Sequence, residues 1–491
     1  MPILISELME TSGVKFGTSG ARGLVTDMTD RVCYTYTAGF IQYLERAGEL
    51  PAADRRIAIA GDYRSSTHRI MVAVAKAVGD RGYEPVNCGK IPSPAVALFG
   101  LREAIPAVMV TGSHIPDDRN GIKYNKRSGE ILKSDEAGIK EQTVEIPDLF
   151  DSQGMFAGDH PMAEVSNRAA EMYVQRWLDA FPAGVLSGKR IGVFEHSAVG
   201  RDLMCRIYQE LGAEVIRLAR SESFIPVDTE AIRPQDVEAA PKWTREHGLD
   251  AVVSTDGDSD RPLISDENGH WLRGDVAGIL TARFLGADVV VTPVSCNTAV
   301  EKSGYFESVR RTRIGSPFVI EEMIRARDAG ARCVVGYEAN GGFLTGSSIV
   351  MEGGNLVPLP TRDPVVVHLA VLSLSAREKR PISSLLSSLP QRFTASGRLK
   401  EFPTEKSAVK IKSMINGGNA VIESMFPDFG SVKITDTTDG LRITFENDEI
   451  VHLRPSGNAP ELRCYTEAAS EDRAWEINGV GVSALEKWRD E

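Results

Sequence analysis

The chain has 491 residues, about three times the length of a typical domain, and 42% of them are apolar against 25% charged, a balance that excludes a disordered or fibrous chain and calls for several globular domains. With 56 Lys and Arg against 68 Asp and Glu the formal net charge is -12, so nucleic acid is not an expected partner and any anionic ligand must be small and held by local cations and amides. Six scattered cysteines (Cys33, Cys88, Cys205, Cys296, Cys333, Cys464) read as reduced thiols of a cytoplasmic protein, the opening residues turn polar at Ser6 and Glu7, too soon for a signal peptide, and no run approaches the roughly 20 apolar residues of a membrane span.

The first loop of note is Phe16-Gly17-Thr18-Ser19-Gly20-Ala21-Arg22-Gly23, where small residues let backbone amides and Arg22 approach an anion together. An apolar run at Arg56 to Ala60, a helix near Ser66 to Asp80 and a second run at Pro85 to Cys88 then set a strand-helix-strand rhythm. The strand Ala107 to Val110 ends in Thr111-Gly112-Ser113-His114-Ile115-Pro116, which stands a hydroxyl at a strand's C-terminal edge, where a nucleophile is exposed. Asn120-Gly121-Ile122-Lys123 follows, and Lys123 can fold back beside the serine as an acid/base group or as a charge partner for phosphate. A surface turn with a chance Ser-His pair is the plain alternative. Hydrolase chemistry fits poorly, because no Gly-x-Ser-x-Gly elbow is present.

The rhythm returns with Arg190 to Phe194, a helix near Arg201 to Leu211 and Glu214 to Leu218. The strand Asp250 to Ser254 leads into Asp256-Gly257-Asp258-Ser259-Asp260-Arg261, three carboxylates at alternate positions that would repel unless a hard divalent cation joined them. An EF-hand places Asp256, Asp258 and Asp260 at positions one, three and five and Glu267 at twelve. Arg261 where that loop wants Gly, and a flanking strand instead of a helix, count against it.

A third pass runs from the strand Asp288 to Val294, through a helix near Asn297, to the strand Ala331 to Gly336 and the loop Gly336-Tyr337-Glu338-Ala339-Asn340-Gly341-Gly342, whose carboxylate and amide suit vicinal sugar hydroxyls. After about Pro381 short strands at Val432 to Thr435, Leu441 to Phe445 and Glu449 to Leu453 indicate an antiparallel α+β unit. Arg454-Pro455-Ser456-Gly457-Asn458-Ala459-Pro460 then gathers a guanidinium, a hydroxyl, an amide and backbone N–H groups that can hold a phosphate monoester. No P-loop is present, so a nucleotide triphosphate is not the evident phosphate source.

Taken in order, the loops Thr111 to Pro116, Asp256 to Arg261, Gly336 to Gly341 and Arg454 to Pro460 resemble the alpha-D-phosphohexomutase superfamily, and most of all its bacterial phosphomannomutase/phosphoglucomutase members, in a similarity that extends over about Phe16 to Glu467. The resemblance implies an α/β fold with three similar mixed-sheet domains and a C-terminal antiparallel α+β domain around one central cleft, divided at 1–157, 158–272, 273–382 and 383–491. It implies a magnesium ion on Asp256, Asp258, Asp260 and a phosphoserine at Ser113, with Ser113, His114, Lys123 and Arg22 catalytic. Arg261, Glu338, Asn340, Arg454, Ser456, Gly457 and Asn458 would bind substrate. Phosphate would pass from Ser113 to a hexose monophosphate and back by way of a hexose 1,6-bisphosphate, with mannose phosphates as the expected substrates. Phosphoglucomutase or dual activity, a phosphoglucosamine mutase, and a non-catalytic sugar-phosphate sensor are the alternatives. The sequence departs from the family pattern at Gly112 and Ile115, at Asn458 and Ala459, and at Asn340 and Gly342. At the last position several relatives carry His, so an acid/base role assigned to that His has no counterpart here.

Overall fold

The computed structural model describes residues 2–17, 20–50, 54–455 and 461–490. In its first large sheet Arg56–Gly61 lies between two parallel neighbours, Glu84–Lys90 and Ala107–Val110, and Arg119–Lys126 pairs antiparallel with the latter. The second sheet repeats this plan, with Arg190–His196 between Glu214–Arg220 and Ala251–Thr255 and an antiparallel Pro262–Ile264 at the edge. The third does so again, with Val289–Pro293 between Ser308–Thr312 and Val334–Tyr337, closed by Phe343–Thr345. Three parallel strands followed by a reversing fourth force a sharp about-turn at the C-terminal end of each third strand. Those turns are residues 111–118, 256–261 and 338–342.

The inner strands are short apolar runs such as Ala251-Val252-Val253 and Val289-Val290-Val291, buried throughout, as central parallel strands covered on both faces require. The expected strand at Ala331 starts only at Val334 because Gly330, at φ +96, and Ala331 still close the preceding helix Ser316–Asp328. The helix expected near Asn297 is a single turn, Ala299–Lys302.

One apolar core runs from Ala58 in the first sheet through Trp177 and Ile191 to Val335 and Leu389, so the first three sheets share an interior. The C-terminal sheet is antiparallel, in the spatial order Phe393–Lys400, Glu461–Ala468, Ile450–Pro455, Leu441–Phe445, Val432–Asp436, and has its own core around Leu441, Phe445, Leu453 and Leu462. Polar contacts join it to the third unit: Asn297 Nδ2 donates to the Arg392 carbonyl at 2.7 Å, the Ile314 N–H to Asp439 at 3.0 Å, and Lys302 pairs with Asp448 at 3.1 Å. The observed architecture is the α/β class expected. No helix among the described residues is long and apolar enough to cross a membrane.

Asp363 ties the units together below the site. It caps the buried helix Pro364–Glu378 by accepting the Val365 N–H at 3.1 Å, and it accepts the Tyr173 hydroxyl of helix Arg168–Ala180 at 2.7 Å. Burial pushes its carboxyl up to about 6, against the opposing pull of Arg176. A carboxyl raised in the folded state lends stability that is complete below its ordinary value and is lost as pH rises through about 6. Asp363→Asn keeps the cap and does not titrate. Its thermal midpoint relative to the parent should therefore rise between about pH 4.5 and about pH 7.5, and an equal difference at both ends would show that the carboxyl is not shifted.

Candidate active site

Arg64, which no motif marks, shapes the turn after Ala107–Val110. Its guanidinium donates to the carbonyls of Ser113 (2.8 Å), Ile115 (2.5 Å), Pro116 (2.7 Å) and Arg119 (3.0 Å), faces the Phe224 ring, and pairs with Asp62 at 3.2 Å. A Cβ at position 112 would lie 2.7 Å from that guanidinium carbon, so the glycine that departs from the family pattern is what admits Arg64. From the other side Thr111 Oγ1 accepts the Ser113 N–H at 2.7 Å. Held in this way, Ser113 adopts φ +58, a conformation that a non-glycine residue keeps only where its surroundings over-determine it.

The serine side chain is buried and points into the second about-turn, donating from Oγ to Asp256 Oδ2 at 2.5 Å. Asp256 Oδ1 accepts the N–H groups of Asp260 and Arg261, both at 3.1 Å, which folds the loop around its own carboxylate. Asp258 Oδ2 accepts from Ser93 Oγ and Lys123 Nζ at 2.6 Å each. Asp260 Oδ2 accepts from Lys123 Nζ at 2.6 Å and from Arg362 Nη2 at 2.7 Å. Arg261 Nε stands 3.8 Å from Asp256 and from Asp260.

Burial and the two neighbouring carboxylates push Asp256 well above the usual carboxylate range. Burial acts on Asp260 in the same sense, but Arg362, Lys123 and Arg261 outweigh it and hold that carboxyl well below the range. Lys123 is opposed by burial yet raised by Asp258 and Asp260, and so remains an ammonium. His114, with Nδ1 3.3 Å from Ser113 Oγ, is driven well below its usual value by burial and by Arg261 and Arg22, which makes it a neutral imidazole at pH 7. Arg22, on the strand Gly20–Leu24 opposite Gly121, is lowered to about 10 by burial and Arg261 and is still a cation.

Each of the three Asp carboxylates brings an oxygen within 4.8 Å of the others, and no second group of this kind occurs among the described residues. Asp258 Oδ1 and Asp260 Oδ1 are buried without a hydrogen-bond partner. Oxygens left over in this way suit a hard divalent cation, so the residues fit magnesium on Asp256, Asp258, Asp260 and an oxygen carried by Ser113. They do not fit an EF-hand: Glu267 accepts the Ser383 N–H at 3.2 Å and that residue's hydroxyl, far from the triad in role, and the loop joins two strands.

The third about-turn reaches this centre through Arg362, whose Nη1 donates to Glu338 Oε2 at 3.2 Å. Asn340 Oδ1 accepts the Gly342 N–H at 2.9 Å and its carbonyl accepts Thr229 Oγ1 at 2.7 Å. Lys123 spans Asp258 and Asp260, where a charge partner for phosphate beside the serine was one of the two roles expected. Arg454 Nε donates at 2.8 Å to Asp439, the carboxylate that also receives the Ile314 N–H. Ser456, Gly457 and Asn458 lie outside the described residues. Sequence reasoning missed Arg64, Ser93 and Arg362, whose partners are distant along the chain. The one local hint at Arg362 is its place before Asp363-Pro364, the start of a helix.

Models of phosphoglucomutase/phosphomannomutase match the chain in three parts: alpha/beta/alpha domain I at residues 13–148, alpha/beta/alpha domain III at 273–393 and the C-terminal domain at 403–478. A phosphomannomutase of Salmonella muenchen is 42% identical over 475 residues, 96% of this chain and 95% of that one. A phosphomannomutase of Sinorhizobium fredii is 40% identical over 473 residues, covering 96% and 99%. Among solved structures, a putative phosphomannomutase from Thermus thermophilus superposes with a TM-score of 0.73 at 18% identity, over 96% of this chain and 99% of that one.

Saturating magnesium should raise the thermal midpoint of the protein, by an amount equivalent to about 2.7 kcal/mol at a hundredfold excess over Kd. Asp258→Asn and Asp260→Asn should each remove most of that shift, since each takes a charged oxygen from the cation's shell. A parent whose midpoint ignores magnesium, or variants that keep the full shift, would count against the metal site.

Proposed function

Because the chain belongs to the phosphoglucomutase/phosphomannomutase family, we propose that it is a phosphomannomutase, interconverting mannose 6-phosphate and mannose 1-phosphate through a phosphorylated Ser113 and a hexose 1,6-bisphosphate. The observation that carries this reading is the buried Ser113 hydroxyl 2.5 Å from Asp256, inside a carboxylate triad with unpartnered oxygens. The two phosphomannomutases at 42% and 40% identity support mannose as the hexose.

In this reading the four units 1–157, 158–272, 273–382 and 383–491 each bring one loop to the cleft. Magnesium on Asp256, Asp258 and Asp260, when bound, supplies charge neutralisation for the phosphate on Ser113. Phosphoryl transfer needs positioning and balanced charge more than covalent help. The bond from phosphorus to Ser113 Oγ breaks as one forms to the free sugar hydroxyl. Neutral His114, 3.3 Å from Oγ, is placed to pass the hydroxyl's proton to the serine oxygen. Arg22, Arg261 and Lys123 surround the moving phosphoryl group with cations that are already fixed. Glu338 and Asn340 take ring hydroxyls, and Arg454, with Ser456, Gly457 and Asn458, holds the phosphate that is not reacting. The bisphosphate then turns over and returns its other phosphate to Ser113.

Glu338 and Asn340 serve hydroxyls away from C2, the one centre where mannose and glucose differ, so modest discrimination of about 1–3 kcal/mol is expected. Intact-mass and peptide mapping should find phosphate on Ser113 in the resting enzyme. Turnover primed with hexose 1,6-bisphosphate should give the highest kcat/KM for mannose 1-phosphate, with glucose 1-phosphate next and glucosamine 1-phosphate last. Undiminished activity in Ser113→Ala would overturn the mechanism, and a preference for glucosamine 1-phosphate would overturn the substrate.

A further inference from the structure

A side chain at position 342 has no room, because a Cβ there would lie 2.3 Å from Cδ and 2.6 Å from Cγ of Arg362. The aliphatic stem of Arg362 fills the space that the glycine leaves, and its guanidinium is buried beyond it, with 5% of the side chain exposed. Nε and Nη2 donate to Asp260 Oδ2 at 3.1 and 2.7 Å, and Nη1 donates to Glu338 Oε2 at 3.2 Å and Ser316 Oγ at 3.3 Å. A single planar fork thus bridges a carboxylate of the second about-turn and one of the third. Its backbone is fixed on either side: Thr361 Oγ1 donates to Glu130, and Asp363 accepts from Tyr173.

We propose that Arg362 is the positioning residue of the sugar-binding loop, holding Glu338 in register with Asp260, and that Gly342 is bare in order to admit it. The inference rests on the phosphohexomutase reading above. A carboxylate presents its second oxygen to vicinal ring hydroxyls in one orientation only when its first is held, and a guanidinium fork does this while pairing with Asp260 as well. Lysine in its place keeps the charge but is a point donor on a flexible stem and does not bridge both carboxylates. Arg362 therefore acts on affinity for the hexose ring through Glu338, without touching the transferring phosphate.

The test is equilibrium binding of mannose 6-phosphate by calorimetry at saturating magnesium, in a Ser113→Ala background that cannot transfer phosphate. Arg362→Lys should weaken binding about tenfold, and Gly342→Ala, which pushes the arginine stem aside, by a similar factor. In an Arg362→Ala background, where the stem is gone, Gly342→Ala should cost nothing further. A purely structural role would instead lower the thermal midpoint and leave Kd within about twofold of the parent, and that result would overturn the proposal. So would a Gly342→Ala effect that persists undiminished without the arginine. If Arg362→Ala does not fold, the lysine and alanine single variants decide. Failure of the Ser113→Ala parent to bind mannose 6-phosphate at all would sink the functional reading, and this inference with it.

Discussion

Three carboxylates buried within one small volume are unfavourable unless cations meet them, since both desolvation and mutual repulsion oppose their ionisation. The rest of the molecule is arranged around that demand. Lys123 comes from the antiparallel strand Arg119–Lys126 of the first sheet, Arg261 from the acidic loop itself and Arg362 from the residues that precede a helix of the third unit. Lys123, Arg261 and Arg362 face the three carboxyl groups, so much of that repulsion is offset before any ligand arrives. The same need draws the loops into contact. Ser93 and Lys123 cross from the first unit to Asp258, and Arg362 crosses from the third to Asp260.

The repeated about-turn explains why three different chemistries end up side by side. Each of the first three sheets sends its third strand outward and brings a fourth back antiparallel, and each reversal carries the serine, the carboxylates or the pair Glu338 and Asn340. A continuous apolar core beneath them fixes their spacing. The C-terminal sheet, by contrast, has a separate core and meets its neighbour through side-chain and backbone polar contacts, of which Asp439, shared between Arg454 and Ile314, is one. Interfaces of that kind open at lower cost than a shared apolar interior.

Much of this was legible in the sequence. Apolar runs alternating with amphipathic stretches marked the parallel strands and their helices, and three Asp at alternate positions after a buried strand marked the carboxylate cluster, because period and spacing are local properties. Ser113 stood out for the same reason, at a strand end among small residues. The groups that make these loops work were not legible, because their meaning depends on distance in space. Arg64 acts on the Ser113 carbonyl 49 residues away, Arg362 on Asp260 102 residues away, and Ser93 on Asp258 165 residues away. Gly112 reads in the sequence only as a departure from the family pattern, and the guanidinium lying against it gives the reason.

The order of these charge partners along the chain has a consequence for biogenesis. Ser93 and Lys123 leave the ribosome before the acidic loop does, so two of the groups that receive Asp258 and Asp260 are waiting when the carboxylates emerge. Arg362 follows only after 102 further residues. During that interval Asp260 has Lys123 and Arg261 as its cations, and the nascent site carries one positive charge fewer than the finished one. The full set of counter-charges at the site is therefore assembled only once the third unit has been made.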